Sequence, residues 1–393
     1  MSRIAFFSIP AEGHTNPTVE VVRELVRRGH EVRYYSFEMF REKLTDAGAQ
    51  FVPCDRYLPP QPPKVLDRKV GKDFAMLVEM VADTTVRMDA ELCAQLTEWS
   101  PACIVSDSVC FWGKLLAGKL NIPLVCSTTT FAFNRQTARL IHKGPGELWR
   151  SLLRLPRISR KMELLRRYGY PAKNLIALLQ NDNETDTVVY TSRAFQPMAE
   201  TFSSRYAFVG PPVAGPGGEE RQPGARPLIY ISLGTLVNRR PGFYRNCIRA
   251  LWDAEADVVM SVGERTDRAA LGELPPNFSV YDRVDQMAVL RRADVFLTHC
   301  GMNSANEAIY CGVPTVLFPQ QSEEGAVAAR MEELGVGVPL KSGAPKRIRR
   351  AVEQVLSDGA YRERTQALGR TFREAGGAPA AADKILKAAE KQS

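Results

Sequence analysis

The chain of 393 residues has no uninterrupted apolar run of membrane-spanning length, which argues against a transmembrane helix. Its eight cysteines form no C-x-x-C pair, so neither a zinc ribbon nor a thioredoxin-type motif is present, and reduced thiols in a cytoplasmic protein are expected. No G-x-G-x-x-G follows the first apolar run, so NAD or FAD is not expected there. There is no P-loop, and no D-x-D triplet to bridge a metal to a diphosphate. Residues 1–10 are too short to read as a signal peptide.

What is present is an ordinary globular composition, 24% charged and 45% hydrophobic. The formal charge of +8 is unevenly placed. Nine basic residues between Arg139 and Arg167 face only Glu147 and Glu163, and the rest of the chain is close to neutral. That distribution argues against a nucleic-acid footprint along the whole chain. The basic stretch is interleaved with Leu148, Trp149, Leu152, Leu153, Leu155 and Ile158. Two readings stand: an amphipathic helix packed on its own domain, or an interfacial helix making peripheral contact with an anionic membrane through residues 139–167.

Short apolar runs alternate with helical stripes. Strands are expected at residues 4–9, 31–35, 50–53, 102–106 and 123–126. A helix is expected over 18–28, with Val19, Val22 and Leu25 on one face and Gly29 just past its end. Residues 57–72 read as a surface loop. The Pro/Gly-dense stretch 210–226 reads as a linker, after which the alternation restarts with strands at 228–233, 258–262, 278–281, 293–297 and 313–318. The expected organisation is an N-terminal domain over 1–209, the linker 210–226, a C-terminal domain over 227–375, and a helical tail 376–393, for which a return to the first domain is one reading. Each half is expected to be a doubly wound α/β domain with a parallel sheet, the two facing a cleft.

In such sheets ligands bind at the carboxyl ends of the strands where the strand order reverses. His14, in Gly13-His14-Thr15-Asn16-Pro17, follows the first strand, and Asp107 ends the fourth. A carboxylate beside an imidazole would hold its tautomer and make it a better base. The plain alternative is that each residue caps a helix. In the second half, Ser232, Gly234 and Thr235 end one strand, and His299, Gly301, Asn303 and Ser304 follow its neighbour into a helix. That helix start offers backbone N–H groups to an anion. Glu307 lies one turn in, suited to ribose hydroxyls, and Glu323 and Glu324 follow the next strand, suited to sugar hydroxyls.

These residues, taken together, resemble the nucleotide-sugar signature of family 1 glycosyltransferases, which have the GT-B architecture of two facing Rossmann-like domains. The matching string is His299-Cys300-Gly301-Met302-Asn303-Ser304, then Glu307, Gly312-Val313-Pro314, Pro319-Gln320 and Glu323. The resemblance covers essentially the whole chain and is nearest to bacterial macrolide- and flavonoid-type members. It implies His14 as the base for the acceptor with Asp107 behind it. It implies His299, Asn303, Ser304 and Thr235 on the diphosphate, Glu307 on ribose, Gln286 near the nucleoside and Glu323 on the sugar. Two departures stand out. Arg283 occupies the place of the aromatic that stacks on uracil, where a guanidinium can also stack or the backbone of Val284 can read the base. Glu324 stands where the family has Gln, which bears on sugar identity.

The implied reaction is inverting, metal-independent transfer from a UDP-sugar, with UDP-glucose the default co-substrate, no bound cofactor and no metal. The implied acceptor is a small apolar natural product, read by residues 57–80, 110–112, 128–139 and the basic stretch to Arg167. Phe111, Trp112, Phe131 and Phe133 are candidates to line an apolar slot, or else core. Rival expectations are a membrane-associated glycolipid glycosyltransferase and a non-catalytic nucleotide-sugar sensor.

Overall fold

Two wholly parallel sheets organise the chain, one of seven strands and one of six. The structure is a computed structural model and describes residues 1–58, 74–134, 136–137, 145–171, 183–213, 225–235 and 238–390, the side chains of 74–77 and 145–155 excepted. The expected loop 57–72, most of the linker 210–226, and Arg139, His142 and Lys143 therefore lie outside the described residues, wholly or in part.

The first sheet comprises β1 (Arg3–Phe7), β2 (Glu31–Ser36), β3 (Gln50–Pro53), β4 (Cys103–Asp107), β5 (Leu124–Thr128), β6 (Asp186–Val189) and β7 (Tyr206–Phe208). Its order is β3-β2-β1-β4-β5-β6-β7. The chain thus runs outward from β1 to β3, then returns to the other side of β1 as β4. Helices described with it are α1 (Glu12–Arg27), α2 (Arg41–Asp46), α3 (Phe74–Trp99), α4 (Phe111–Leu120) and α5 (Pro145–Arg167). Strand β1 is buried from Ile4 to Phe7, as expected of a central parallel strand covered on both faces.

The second sheet comprises β8 (Leu228–Ser232), β9 (Asp257–Ser261), β10 (Phe278–Tyr281), β11 (Val295–Thr298), β12 (Thr315–Leu317) and β13 (Gly337–Pro339), in the order β10-β9-β8-β11-β12-β13. With it come α6 (Pro241–Ala250), α7 (Gln286–Leu290), α8 (Met302–Cys311), α9 (Ser322–Glu333), α10 (Pro345–Ser357) and α11 (Gly359–Arg373), and the last helix is α12 (Gly377–Ala389). The chain divides into two compact units, one of Met1–Pro212 with Ala375–Ser393, the other of Val213–Glu374. Within the first unit, α12 packs on α1 and on β4 to β7, burying Ala381, Ala382 and Ile385.

Helix α1 begins six residues before the expected start. His14 and Thr15 donate their backbone N–H groups to the Ala11 carbonyl at 3.1 Å, so the expected loop is the first turn of the helix. Pro17 lies inside it, where its missing N–H costs one bond to the preceding turn. The apolar period at Val19, Val22 and Leu25 begins only after that proline, which is why periodicity placed the start too late.

Helix α5 settles on its own domain. Ile158, Met162 and Leu165 are buried in the core, α5 packs along α3, and Lys161 Nζ lies 2.5 Å from Asp83. Of the apolar residues behind the interfacial-helix reading, Ile158 alone has a described side chain, and it is buried; Leu148, Trp149, Leu152, Leu153 and Leu155 lie outside the described side chains. Among the described residues, no helix is long and apolar enough to cross a membrane.

The tail is pinned by charge as well as by packing. Lys384 donates to buried Asp186 at 2.7 Å, Arg205 reaches the same carboxylate at 3.3 Å, and Arg28 at the end of α1 pairs with Asp383 at 2.5 Å. Removing one partner of a buried pair leaves the other under-compensated, so Lys384→Ala is expected to destabilise the first unit by about 2 kcal/mol, the remaining Arg205 limiting the loss. Urea unfolding followed by tyrosine and tryptophan fluorescence measures this, and an unchanged midpoint would show that packing alone holds α12.

Candidate functional site

The pairing of β1 with β4 sets Phe7 beside Ser106, so the residues just past them share one sheet edge. There His14, in the first turn of α1, meets Asp107, the last residue of β4: His14 Nδ1 lies 2.8 Å from Asp107 Oδ2. The Asp107 side chain is 1% exposed and that of His14 19%, so the acid is sealed behind a ring that still reaches the surface. Asp107 Oδ1 accepts the Val109 backbone N–H at 2.9 Å. The carboxylate therefore serves the turn and the imidazole at once; the N-caps of the two helices are Ala11 and Cys110, so neither His14 nor Asp107 caps a helix. A carboxylate only accepts, so the imidazole proton sits at Nδ1 and the ring's basic lone pair at Nε2.

Thr129, just past β5, places its hydroxyl 3.1 Å from the same Nδ1. Sequence reasoning had no sign of it, because only the sheet order brings residue 129 to residue 14. Beneath the pair lies a buried hydroxyl network: Thr15 donates to Ser8 at 3.1 Å, Ser8 and Ser36 lie 3.0 Å apart, and Thr18 and Tyr34 lie 2.8 Å apart. Helix α1 is thus tied to the strands under its first turns.

In the second unit, Thr298 of β11 pairs with Ser232 of β8, and the two strand ends carry the remaining candidates. His299 lies between two glycines. A Cβ at Gly234 would come within 2.5 Å of its Nε2, and one at Gly301 within 2.4 Å. Gly234 also sits at φ 71°, so both space and backbone require glycine there. Burial pushes His299 down to about 4, the Ser232 carbonyl pulling the other way without closing a well-formed bond to Nδ1. His299 is accordingly a neutral donor near pH 7.

Gly301 is the N-cap of α8, and Asn303 and Ser304 occupy its first turn, as expected. Gln286, at the start of α7, donates to Glu307 at 2.5 Å and to Ser304 Oγ at 3.0 Å, while the Tyr230 hydroxyl donates to Gln286 Oε1 at 3.1 Å. Burial raises Glu307 to about 7, the Gln286 hydrogen bond opposing the rise. Ser232 Oγ accepts the Gly234 N–H at 3.3 Å, and Thr235 is exposed. Arg283 is exposed and pairs with Glu264 at 3.1 Å, while Val284 packs at the margin of a small core cluster.

The structure departs from expectation at two places. Glu324 does not present its carboxylate outward. It is 8% exposed, and Oε2 accepts the backbone N–H groups of Gln320 at 2.6 Å and Gln321 at 3.0 Å. It forms a capping box at the start of α9, leaving exposed Glu323 as the outward acid of the pair. Phe111 and Trp112 are 1% and 0% exposed, in the core at the start of α4, with Trp112 edge-on to Phe37. Phe131 is buried against Phe195. These three are buried, as the core alternative has it, and of the four candidates Phe133, 39% exposed, keeps a surface face.

The chain is similar to several known proteins over most of its length. Residues 245–386 match the family described as "Erythromycin biosynthesis protein CIII-like, C-terminal domain". The chain is 34% identical to the NDP-glycosyltransferase YjiC of Bacillus licheniformis, covering 97% of this chain and 96% of the relative. It is likewise 34% identical to the demethyllactenocin mycarosyltransferase of Streptomyces fradiae, covering 98% of this chain and 86% of that one. Among solved structures, the calicheamicin glycosyltransferase CalG4 is similar over 99% of this chain and 98% of its own, with TM-score 0.82 and 32% identity.

The raised Glu307 makes a pH-dependent prediction. An unfolded chain releases that proton near 4.5, the folded one near 7, so folding retains a proton in between. Stability is therefore lost as pH rises through this window and stays lowered above it. Glu307→Gln keeps the acceptor for Gln286 and removes the buried charge. Its melting temperature is expected to match wild type near pH 5 and to exceed it at pH 8. A difference independent of pH, measured by calorimetry, would show that Glu307 does not titrate in this way.

Proposed function

Since the chain belongs to the family 1 glycosyltransferases, with their GT-B pair of Rossmann-like domains, we propose that it is an inverting, metal-independent enzyme of natural-product tailoring. It moves a sugar, glucose being the first candidate, from a UDP-sugar to a hydroxyl of a small apolar acceptor such as a macrolide, polyketide or phenol. The observation that carries this reading is the 2.8 Å contact between His14 and Asp107. A protein that only bound nucleotide sugars would need no base. The names of the relatives, an NDP-glycosyltransferase, a mycarosyltransferase and a calicheamicin glycosyltransferase, support a nucleotide-sugar donor and a natural-product acceptor.

In this mechanism His14 Nε2 takes the proton of the acceptor hydroxyl as its oxygen attacks the anomeric carbon. Asp107 holds the tautomer and stabilises the imidazolium that forms. The bond from the anomeric carbon to the diphosphate oxygen breaks in the same step, and UDP leaves with the electron pair. Backbone N–H groups at the start of α8, Ser304 and neutral His299 meet the growing charge as aimed dipoles. Glu307 takes the ribose hydroxyls, Gln286 holds that acid in place, and Glu323 reads the sugar. Attack opposite the leaving group inverts the anomeric centre.

The test is UDP release with EDTA present, using a panel of UDP- and TDP-sugars and pooled phenolic and macrolide acceptors. His14→Ala is expected to lower kcat by about 10²- to 10⁴-fold, the range of a lost general base, with UDP affinity unchanged. Acceptor-dependent release that survives His14→Ala would remove the base from the proposal, and donor binding without turnover for any acceptor would favour a sensor.

A further inference from the structure

The groups placed on the diphosphate so far carry no positive charge. His299 is neutral at its depth, and a helix start supplies only about half a charge. A nucleoside diphosphate brings more than that, so a cation is wanted at this sheet edge. The turn after β9, residues 263–266, was not singled out by the sequence. Strand order sets it between the turns that follow β8 and β10.

That turn is anchored on both sides. Gly263 donates to the Asp282 carbonyl at 3.0 Å, and Asn238 lies against Gly263 so closely that a Cβ there would fall 2.2 Å from its amide nitrogen. Asn238 in turn donates to the Gly234 carbonyl at 2.8 Å. From this fixed base, two consecutive side chains diverge. Glu264 pairs with Arg283 at 3.1 Å, on the turn that runs into α7 and Gln286. Arg265 goes the other way and donates from Nη2 to the Thr235 carbonyl at 3.4 Å. Thr235 follows Gly234, the glycine against the His299 ring. The guanidinium is exposed, and its planar fork matches a phosphate.

We propose that Arg265 is a donor-binding residue of this chain, its guanidinium holding the diphosphate of the nucleotide sugar beside the Gly234–Thr235 turn. Glu264 keeps the neighbouring cation, Arg283, at the nucleoside end, so that the two positive charges address different parts of one ligand. Arg265 also stabilises the charge that accumulates on UDP as the glycosidic bond breaks. The inference rests on the donor-site reading above.

Titration calorimetry of the full chain with UDP and with uridine tests it, because only UDP carries the diphosphate. Arg265→Ala is expected to weaken UDP about tenfold, as befits one charge-assisted contact, and to leave uridine unchanged. Arg265→Lys falls between, and its UDP affinity keeps the wild-type dependence on salt. Arg268, whose guanidinium faces Asp282 at 3.4 Å, is the control: Arg268→Ala leaves both ligands as they were. UDP binding that is unaltered in Arg265→Ala but lost in Glu307→Ala overturns the proposal for Arg265 alone. An equal loss for uridine and UDP in Arg265→Ala also overturns it, since the residue would then shape the pocket. Failure of the wild type to bind either ligand overturns the donor-site reading, and Arg265 with it.

Discussion

Everything at the two sites depends on one constraint of parallel sheets: where the chain reverses its direction of winding, two neighbouring strands send their ends into different connections. In the first unit those strands are β1 and β4, in the second β8 and β11. At such a place side chains distant in sequence meet without any long loop to carry them. His14 and Asp107, separated by 93 positions, come within 2.8 Å because Phe7 and Ser106 are register partners. His299 meets Gly234 by the same logic, through Thr298 and Ser232.

The second unit places that meeting under strain. Cys300 adopts φ 67°, a left-handed conformation that costs a non-glycine residue about 1 kcal/mol or more. Its N–H is satisfied by Thr298 Oγ1 at 3.1 Å. The sharp bend it makes takes the chain from β11 into α8 within three residues, so that the His299 ring and the helix start address the same space. A relaxed connection would be longer and would carry the ring away from the helix. Gly301 and Gly234 then let the ring lie flat between backbones, which fixes it without a hydrogen-bond partner at Nδ1.

Much of this was legible in the sequence, for identifiable reasons. The central strands are short apolar runs bounded by turns, and all ten expected in the two halves sit within two residues of their observed starts and ends. The run at 313–318 is trimmed to Thr315–Leu317 at its start by Pro314. Strands β6, β7 and β13 were missed, being three or four residues long with Asp186, Thr187, Gly337 or Pro339 among them. The burial of Phe111 and Trp112 was hidden because α4 has apolar residues on most of its faces, so no stripe distinguishes core from slot. Glu324 read as a sugar ligand because its role as a cap depends on how the Gln320–Gln321 backbone turns. Thr129, Glu264 and Arg265 left no local pattern at all. They act through neighbours in the sheet, and neighbourhood is a property of strand order rather than of spacing along the chain.

The electrical state of the donor end follows from these placements. The three ionisable groups nearest its floor are all held away from free charge. Burial keeps His299 neutral and lifts Glu307 to about 7, and Glu324 spends its carboxylate on two backbone N–H groups of α9. What remains on the floor is a set of dipoles: the first turn of α8, Ser304, and the amide of Gln286 fixed from both ends by Tyr230 and Glu307. Exposed charges, Glu264, Arg265, Arg283 and Glu323, stand at the rim, where solvent already compensates them. A floor of fixed dipoles needs little reorganisation when charge develops on a leaving group, and that is the condition under which dipoles stabilise most. The separation is built by the glycines around His299 and the buried side chains beside it, and under the proposal above it leaves Arg265 to bring the formal charge that the dipoles lack.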